Sequence, residues 1–177
     1  DMLIGHISAL EYWRTVGERF LRTGRQRRAA TRRARAVMAA KEKPRIGEGN
    51  RRPAGCALPL HVLIADACVR TETEGVVTHT WGKPVSDTAF AEAGEGFFDE
   101  RAGFCFLQMA GCLSLVQLIQ LGFELCGTYA LVGSARWFAV PPVDDEAKLA
   151  AFVEQSSGAR GCKKAARAVR YVQDGAA

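Results

Sequence analysis

The chain has 177 residues, 48% of them hydrophobic, a formal net charge of +5 and six cysteines. That length allows one hydrophobic core with a small additional segment, and the absence of any Cys-x-x-Cys pair excludes the common redox and zinc-finger patterns. We therefore predict reduced, structural cysteines, and no signal peptide, because the N-terminal residues carry no basic region followed by an apolar run.

The first predicted element is a short helix beginning near Ser8. Ser8 and Glu11 have the spacing of a capping box, in which the serine hydroxyl and the glutamate carboxylate each accept a backbone N–H of the first turn. The apolar pair Tyr12 and Trp13 follows, and we expect it to pack on the core.

Residues 14–52 carry 14 Lys/Arg against three Asp/Glu, a charge of +11, whereas the rest of the chain carries −6. Alanine and arginine dominate residues 27–40, which favours a helix, and Lys43-Pro44 ends it before a linker at 47–55. One interpretation is a basic helix that contacts phosphates. The other is a solvated arm that leans on the acidic remainder, or simply a disordered insertion. Since no aromatic residue lies between Phe20 and Arg52, base stacking has no support.

Two strands are predicted next, at residues 59–65 and 75–81, each with one histidine. His61 and His79, with Cys56 and Cys68, form a metal-like grouping whose spacing matches no common zinc pattern. We therefore assign no metal ligands. We expect two histidines on strands whose ring nitrogens have ordinary hydrogen-bond partners. Residues 83–94 are predicted as a loop with a short helical piece at 87–93.

The longest apolar stretch spans residues 96–131. It predicts a short strand at 96–98, then helices at 103–112 and 114–129, hinged near Gly111 with Ser114 as N-cap. Glu124 on the second helix would cost about 2.5–3.5 kcal/mol inside a bilayer, so we predict core helices and no membrane span. The expected location is the cytoplasm.

The C-terminal part predicts a strand at 136–140 and two helices. The first runs from the acidic residues 144–146 to Gln155, with its acids at the positive end of the helix dipole. The second, at residues 159–173, carries a second basic surface formed by Lys163, Lys164, Arg167 and Arg170.

Five segments occur in a characteristic order: IGHISALEYW, PLHVLIA, GVVTHTW, GEGFF leading into FCFLQMAGCLSLVQLIQLG, and GARGCKKAARAVRYV. This layout resembles the AbiEi-type antitoxin-like module (type IV toxin–antitoxin) of actinobacterial proteins. There a helix with histidine, Ser-Ala and Trp precedes a P-x-H-V strand, a strand ending in histidine and a closing G-x-R-G helix.

The resemblance implies a module that links or positions DNA-acting parts. Such modules usually precede a very-short-patch-repair-like nuclease domain, and regulatory members carry a winged helix upstream; neither part is visible in this sequence. The sequence also departs from the family at residues 99–103, where DERAG replaces a T-S-P turn, and in the arginine-rich segment.

We predict an α/β (α+β) fold with a small mixed sheet of residues 59–65, 75–81, 96–98 and 136–140. The central apolar helix pair and the C-terminal helices cover it. Residues 1–55 form an N-terminal helix and basic helical arm, and residues 56–177 a single domain.

The predicted function is non-enzymatic, because no catalytic motif or phosphate-binding loop is present, and it requires no cofactor. We expect an antitoxin-like or nuclease-associated module that contacts DNA phosphates without sequence preference. The alternatives are a fragment of a DNA endonuclease and a protein-interaction module that neutralises a toxin or binds a nuclease protein. The predicted phosphate contacts are Arg25, Arg27, Arg28, Arg32, Arg33 and Arg35, followed by Lys163, Lys164, Arg167 and Arg170.

Overall fold

The computed structural model describes residues 1–16, 24–47, 51–70, 73–94, 96–127, 129–132, 136–139 and 144–174. The chain divides into two compact units, Asp1–Arg101 and Ala102–Ala177. Helices and small mixed sheets alternate along the described residues, so the predicted α/β class is confirmed. The domain division predicted after residue 55 stays a prediction, and residues 17–23 and 48–50 of the predicted arm lie outside the described ranges.

The described residues of the first unit form two small sheets. Strand β1 (Met2–Leu3) pairs in parallel with β5 (Phe97–Glu100), which pairs antiparallel with β4 (Phe90–Gly94). The second sheet is a parallel pair of β2 (Leu60–Ile64) and β3 (Val76–Thr80). One antiparallel bridge joins the segment after β1 to β2.

The described residues of this unit form two α-helices, α1 (His6–Val16) and α2 (Gly24–Met38), and a short 3-10 helix at Ala67–Val69. The predicted basic helix is thus confirmed as α2, and one of its sides is buried through Ala30, Thr31, Ala34 and Met38. The Thr31 hydroxyl donates to the Phe90 carbonyl at 3.3 Å and accepts the Phe90 N–H at 3.1 Å. The helix is therefore packed on the sheet, and the hypothesis of a disordered insertion is wrong for these residues. The hypothesis of an arm that leans on the acidic remainder agrees with the ion pairs of Arg33 with Glu92 and of Arg35 with Asp87.

The helical piece predicted at 87–93 is wrong, because the segment contains a turn and a bend at 87–89 and then β4 from Phe90. Its alanines and glutamate favour a helix intrinsically, but pairing with β5 buries Phe90, Ala91 and Ala93. Burial and strand pairing outweigh a local preference of a few tenths of a kcal/mol per residue, which is about the size of the helix-propensity differences involved.

The capping box predicted at Ser8 is also wrong. Helix α1 begins two residues earlier, at His6, so Ser8 lies within its first turn and is fully buried. The Ser8 hydroxyl accepts the N–H of His61 at 3.0 Å, and the Glu11 carboxylate accepts the N–H of Ala57 at 3.0 Å. Both side chains thus tie α1 to the segment around β2.

The second unit has four helices among its described residues: α3 (Ala102–Met109), α4 (Leu115–Cys126), α5 (Glu146–Gln155) and α6 (Cys162–Val169). The predicted apolar helix pair is confirmed as α3 and α4. Ser114 caps α4 as predicted, since its hydroxyl accepts the N–H of Gln117 while the Gln117 side chain accepts the N–H of Ser114. Phe104, Phe106 and Leu118 are buried in this unit.

An antiparallel hairpin of β6 (Tyr129–Val132) and β7 (Arg136–Ala139) completes the second unit. The four segments predicted to form a single sheet therefore lie in three separate sheets, and that part of the prediction is wrong. Hydrophobic alternation identifies a strand but carries no information about its partner, which is why the grouping failed.

All six cysteines lie in the described part of the chain, and each is a free thiol. Cys105 and Cys126 are buried, as expected for small apolar side chains in the core. Among the described residues, no helix combines the length and the apolar character that crossing a bilayer requires.

Candidate functional site

All three histidines of the chain lie side by side in the first unit. The ring centroids of His6 and His79 are 4.1 Å apart, those of His61 and His79 5.0 Å, and those of His6 and His61 5.4 Å. The rings are nearly parallel, with interplanar angles of 8–18°. The Nδ1 atom of His61 lies 2.8 Å from the Nε2 atom of His79. We call these three residues the histidine cluster.

The parallel register of β2 and β3 brings two of these histidines together. His61 pairs with Val77 and Leu63 pairs with His79, so the two imidazoles are offset by two residues. Because side chains two residues apart on a strand share one face of the sheet, both rings project on the same side.

The third histidine, His6, is the first residue of α1. His6 has a φ of 60°, a left-handed conformation that is uncommon for residues other than glycine. Its backbone N–H donates to the Glu100 side chain at 3.2 Å, while Ser8 in the same turn accepts the N–H of His61. The contacts of α1 with β5 and β2 therefore fix where the His6 ring lies.

Burial keeps the cluster neutral. The pKa of His6 is lowered to about 4, mainly by burial and further by the neighbouring His61. The pKa of His79 is also lowered to about 4, by burial and then by His6, His61 and Arg70. Burial lowers the pKa of His61 as well, and the carboxylate of Glu11 opposes that shift. At neutral pH the rings therefore carry free nitrogen lone pairs, the form in which imidazole binds metals.

Of the four residues grouped in the sequence, the structure brings only His61 and His79 into the cluster, and it adds His6. The Cys56 thiol instead donates to the Ser8 carbonyl at 3.3 Å, and burial raises its pKa to about 12. Cys68 is exposed, and its backbone N–H donates to Asp66. The signal that was missed is the histidine present in each of the three motifs IGHISALEYW, PLHVLIA and GVVTHTW.

The six predicted phosphate-binding arginines of α2 fall into two groups. Arg33 pairs with Glu92 at 3.3 Å and lies over the Phe98 ring, and Arg35 pairs with Asp87 at 3.1 Å. Arg27 is half-buried, and its charge acts on the buried carboxyl of Asp99. The three arginines in this first group are thus engaged with the acidic body of the unit.

The second group is formed by Arg25, Arg28 and Arg32, which are all exposed. Their spacing of three and four residues places them on one side of the helix, opposite the buried Ala30 and Ala34. Within the described ranges, none of these three guanidinium groups has an acidic partner. We call these three residues the outer arginine face.

The four predicted basic residues of the last helix also divide. Lys163, Arg167 and Arg170 are exposed and follow helical spacing, whereas the Lys164 ammonium donates to the Leu113 carbonyl at 2.8 Å. Lys164 therefore holds α6 to the loop before α4. The other three remain available to a partner of the second unit.

Comparisons of the chain with models of known protein families, with curated proteins and with solved structures find no match. The resemblance to the antitoxin-like module therefore stays a prediction.

Proposed function

We propose that this chain is a non-enzymatic module that binds the phosphate backbone of duplex DNA without sequence preference, through the outer arginine face of α2. The observation that carries the proposal is the division of α2 into an anchored and an exposed side. Arg25, Arg28 and Arg32 lie on the exposed side. In keeping with the antitoxin-like layout, the module would act in the cytoplasm and position a DNA-acting partner.

Anchoring is what distinguishes this face from a solvated charge run. The Thr31 hydroxyl and the buried alanines hold α2 against β4, so the three guanidinium groups project from a fixed backbone. A fixed array loses less conformational entropy on binding than a flexible arm does. Arginine suits phosphate because its planar guanidinium can donate two parallel hydrogen bonds to two oxygens.

The absence of sequence preference is part of the proposal, since arginine can contact guanine edges as well as phosphates and only phosphate contact is proposed. Within the described ranges, the exposed side of α2 offers guanidinium groups and alanine methyls, without asparagine and with Gln26 as its single amide side chain. Base discrimination requires several bidentate contacts to base edges, whereas phosphate contacts fix position without specifying sequence.

Binding of a fluorescent random-sequence duplex, measured by anisotropy across a salt series, tests the proposal. We expect a Kd of roughly 10⁻⁴–10⁻⁶ M near physiological salt, weakening linearly in a log–log plot. The variant Arg28→Gln/Arg32→Gln should reduce the salt slope by about 1.8, since each lost phosphate contact removes about 0.9.

The matched control is Arg33→Gln/Arg35→Gln, which removes the same charge from arginines already paired with acids. The salt slope of this control should change by less than half of the change seen for Arg28→Gln/Arg32→Gln. Equal effects of the two double variants, or no binding at low salt, would overturn the proposal and favour a toxin or nuclease protein as the partner of this face. Metal-dependent nicking of DNA by the chain would refute its non-enzymatic character.

A further inference from the structure

The histidine cluster brings together three side chains that could hold a metal ion. Each of the three side chains can offer one imidazole nitrogen, and these nitrogens all lie within 4.8 Å of one another. They come from three elements that are distant in sequence: the start of α1, β2 and β3. We propose that His6, His61 and His79 bind one transition-metal ion of the zinc type through three imidazole nitrogens.

The distances are close to those that coordination needs. With Zn–N bonds of about 2.0–2.1 Å, two nitrogens of a tetrahedral site lie about 3.3 Å apart. The His61 Nδ1 and His79 Nε2 atoms are 2.8 Å apart, and one nitrogen from each of the three rings lies within 4.8 Å of the others. The lone pairs of an imidazole lie in the ring plane, so the rings must turn out of their stacked arrangement to converge on one ion. The 2.8 Å contact between His61 and His79 must open at the same time.

The ligand chemistry selects the class of ion. An all-imidazole set suits zinc, cobalt, nickel and copper, whereas magnesium and calcium require oxygen ligands. Such ions bind imidazole in its neutral form.

The surroundings support a cation at this place. The Glu11 carboxylate acts electrostatically on His61, and the Glu100 carboxylate accepts the backbone N–H of His6. The negative charge of Glu11 partly compensates a divalent ion, whose burial in a half-buried site would otherwise cost free energy. Arg70 opposes it, since its charge acts on His79.

Such an ion would join the start of α1 to both strands of the parallel pair. With three protein ligands, the fourth position would be left to water or to a group from a partner. Because the ion binds the folded chain, it would stabilise that chain in proportion to the logarithm of its concentration. The site shares no residue with the outer arginine face, so either proposal can fail without the other.

The deciding experiment is a titration of the full chain, freed of metal with a chelator under reducing conditions, with Zn²⁺. The imidazole resonances are followed by NMR. Since the chain has only three histidines, every ring signal belongs to the cluster. We expect all three ring spectra to change together and to be complete at one equivalent. No change, or change in only one or two rings, overturns the proposal and leaves a stacked, hydrogen-bonded histidine trio.

Variants separate this site from the six free thiols, which also bind zinc. Single His6→Gln, His61→Gln and His79→Gln substitutions should each weaken Zn²⁺ binding at least about 100-fold, because loss of a supporting group alone costs about 10–100-fold. The matched control Cys68→Ser should bind as the unaltered chain does. Co²⁺ should give a spectrum without a sulfur-to-cobalt charge-transfer band. The presence of that band, or unchanged affinity in the histidine variants, would assign the metal to cysteine.

Discussion

The Nδ1 atom of His61 lies 2.8 Å from the Nε2 atom of His79, across a parallel strand pair in which their positions are offset by two residues. The contact depends on the register, because a shift of one residue would turn one ring to the opposite face of the pair. The His61 residue is also tied to α1, because its backbone N–H donates to the Ser8 hydroxyl. Helix packing and imidazole placement are thus coupled.

Replacing Ser8 with alanine should destabilise the chain by about 1–3 kcal/mol, since the N–H of His61 loses its side-chain acceptor at a fully buried position. Urea denaturation followed by circular dichroism measures the change. The control Ser157→Ala removes an exposed hydroxyl and should stay within about ±0.5 kcal/mol. Equal stability of Ser8→Ala and the unaltered chain would show that this hydrogen bond makes no net contribution to the free energy of unfolding.

Replacing Thr31 with valine should loosen α2 from β4. The hydroxyl makes two hydrogen bonds to the Phe90 backbone, so we expect a loss of about 1–3 kcal/mol. Thr31→Ser is the control, because it keeps both hydrogen bonds and removes one methyl group, at a cost of about 0.8 kcal/mol. Denaturant midpoints should therefore fall in the order unaltered chain, serine variant, valine variant. A serine variant less stable than the valine variant contradicts this account.

Asp99 should make the chain less stable as pH rises above about 4. Burial raises the pKa of its carboxyl well above the ordinary value, against the opposing effects of the Glu100 N–H and Arg27. The folded state then retains a proton that the unfolded state loses, so stability is fully present below the unfolded pKa and falls toward the folded pKa. Asp99→Asn should abolish this pH-dependent loss of stability, because asparagine has no proton to lose.

We expect Asp99→Asn to be more stable than the unaltered chain at pH 7, by on the order of 1–3 kcal/mol, with the difference vanishing near pH 4. Thermal unfolding at several pH values measures it. Asp87→Asn is the control, since this exposed acid forms only a surface pair with Arg35. A difference independent of pH would mean that Asp99 is ionised in the folded chain.

The sequence predicted elements well and their partners poorly. The N-cap at Ser114 and the basic helix follow from local patterns and are confirmed. The histidine cluster depends on contacts between residues far apart in the chain, such as His6 with Glu100, which no local pattern encodes. Separating the paired arginines of α2 from the exposed ones requires knowing which side of the helix is buried. Alanine at positions 30 and 34 is too weakly hydrophobic to mark that face in advance.

Two adjacent lysines of α6 allow a test that distinguishes a lysine that stabilises the fold, Lys164, from one that could contact DNA, Lys163. Lys164→Met should lower stability by about 1–2 kcal/mol, because the Leu113 carbonyl loses a charged donor at 2.8 Å. It should leave the salt slope of DNA binding unchanged. The exposed neighbour Lys163→Met should leave stability unchanged and, if the second unit contacts phosphate, reduce the slope by about 0.9. Since the two substitutions are chemically identical and adjacent, a slope that responds to Lys164 alone would show that the structural assignment of these lysines is inverted.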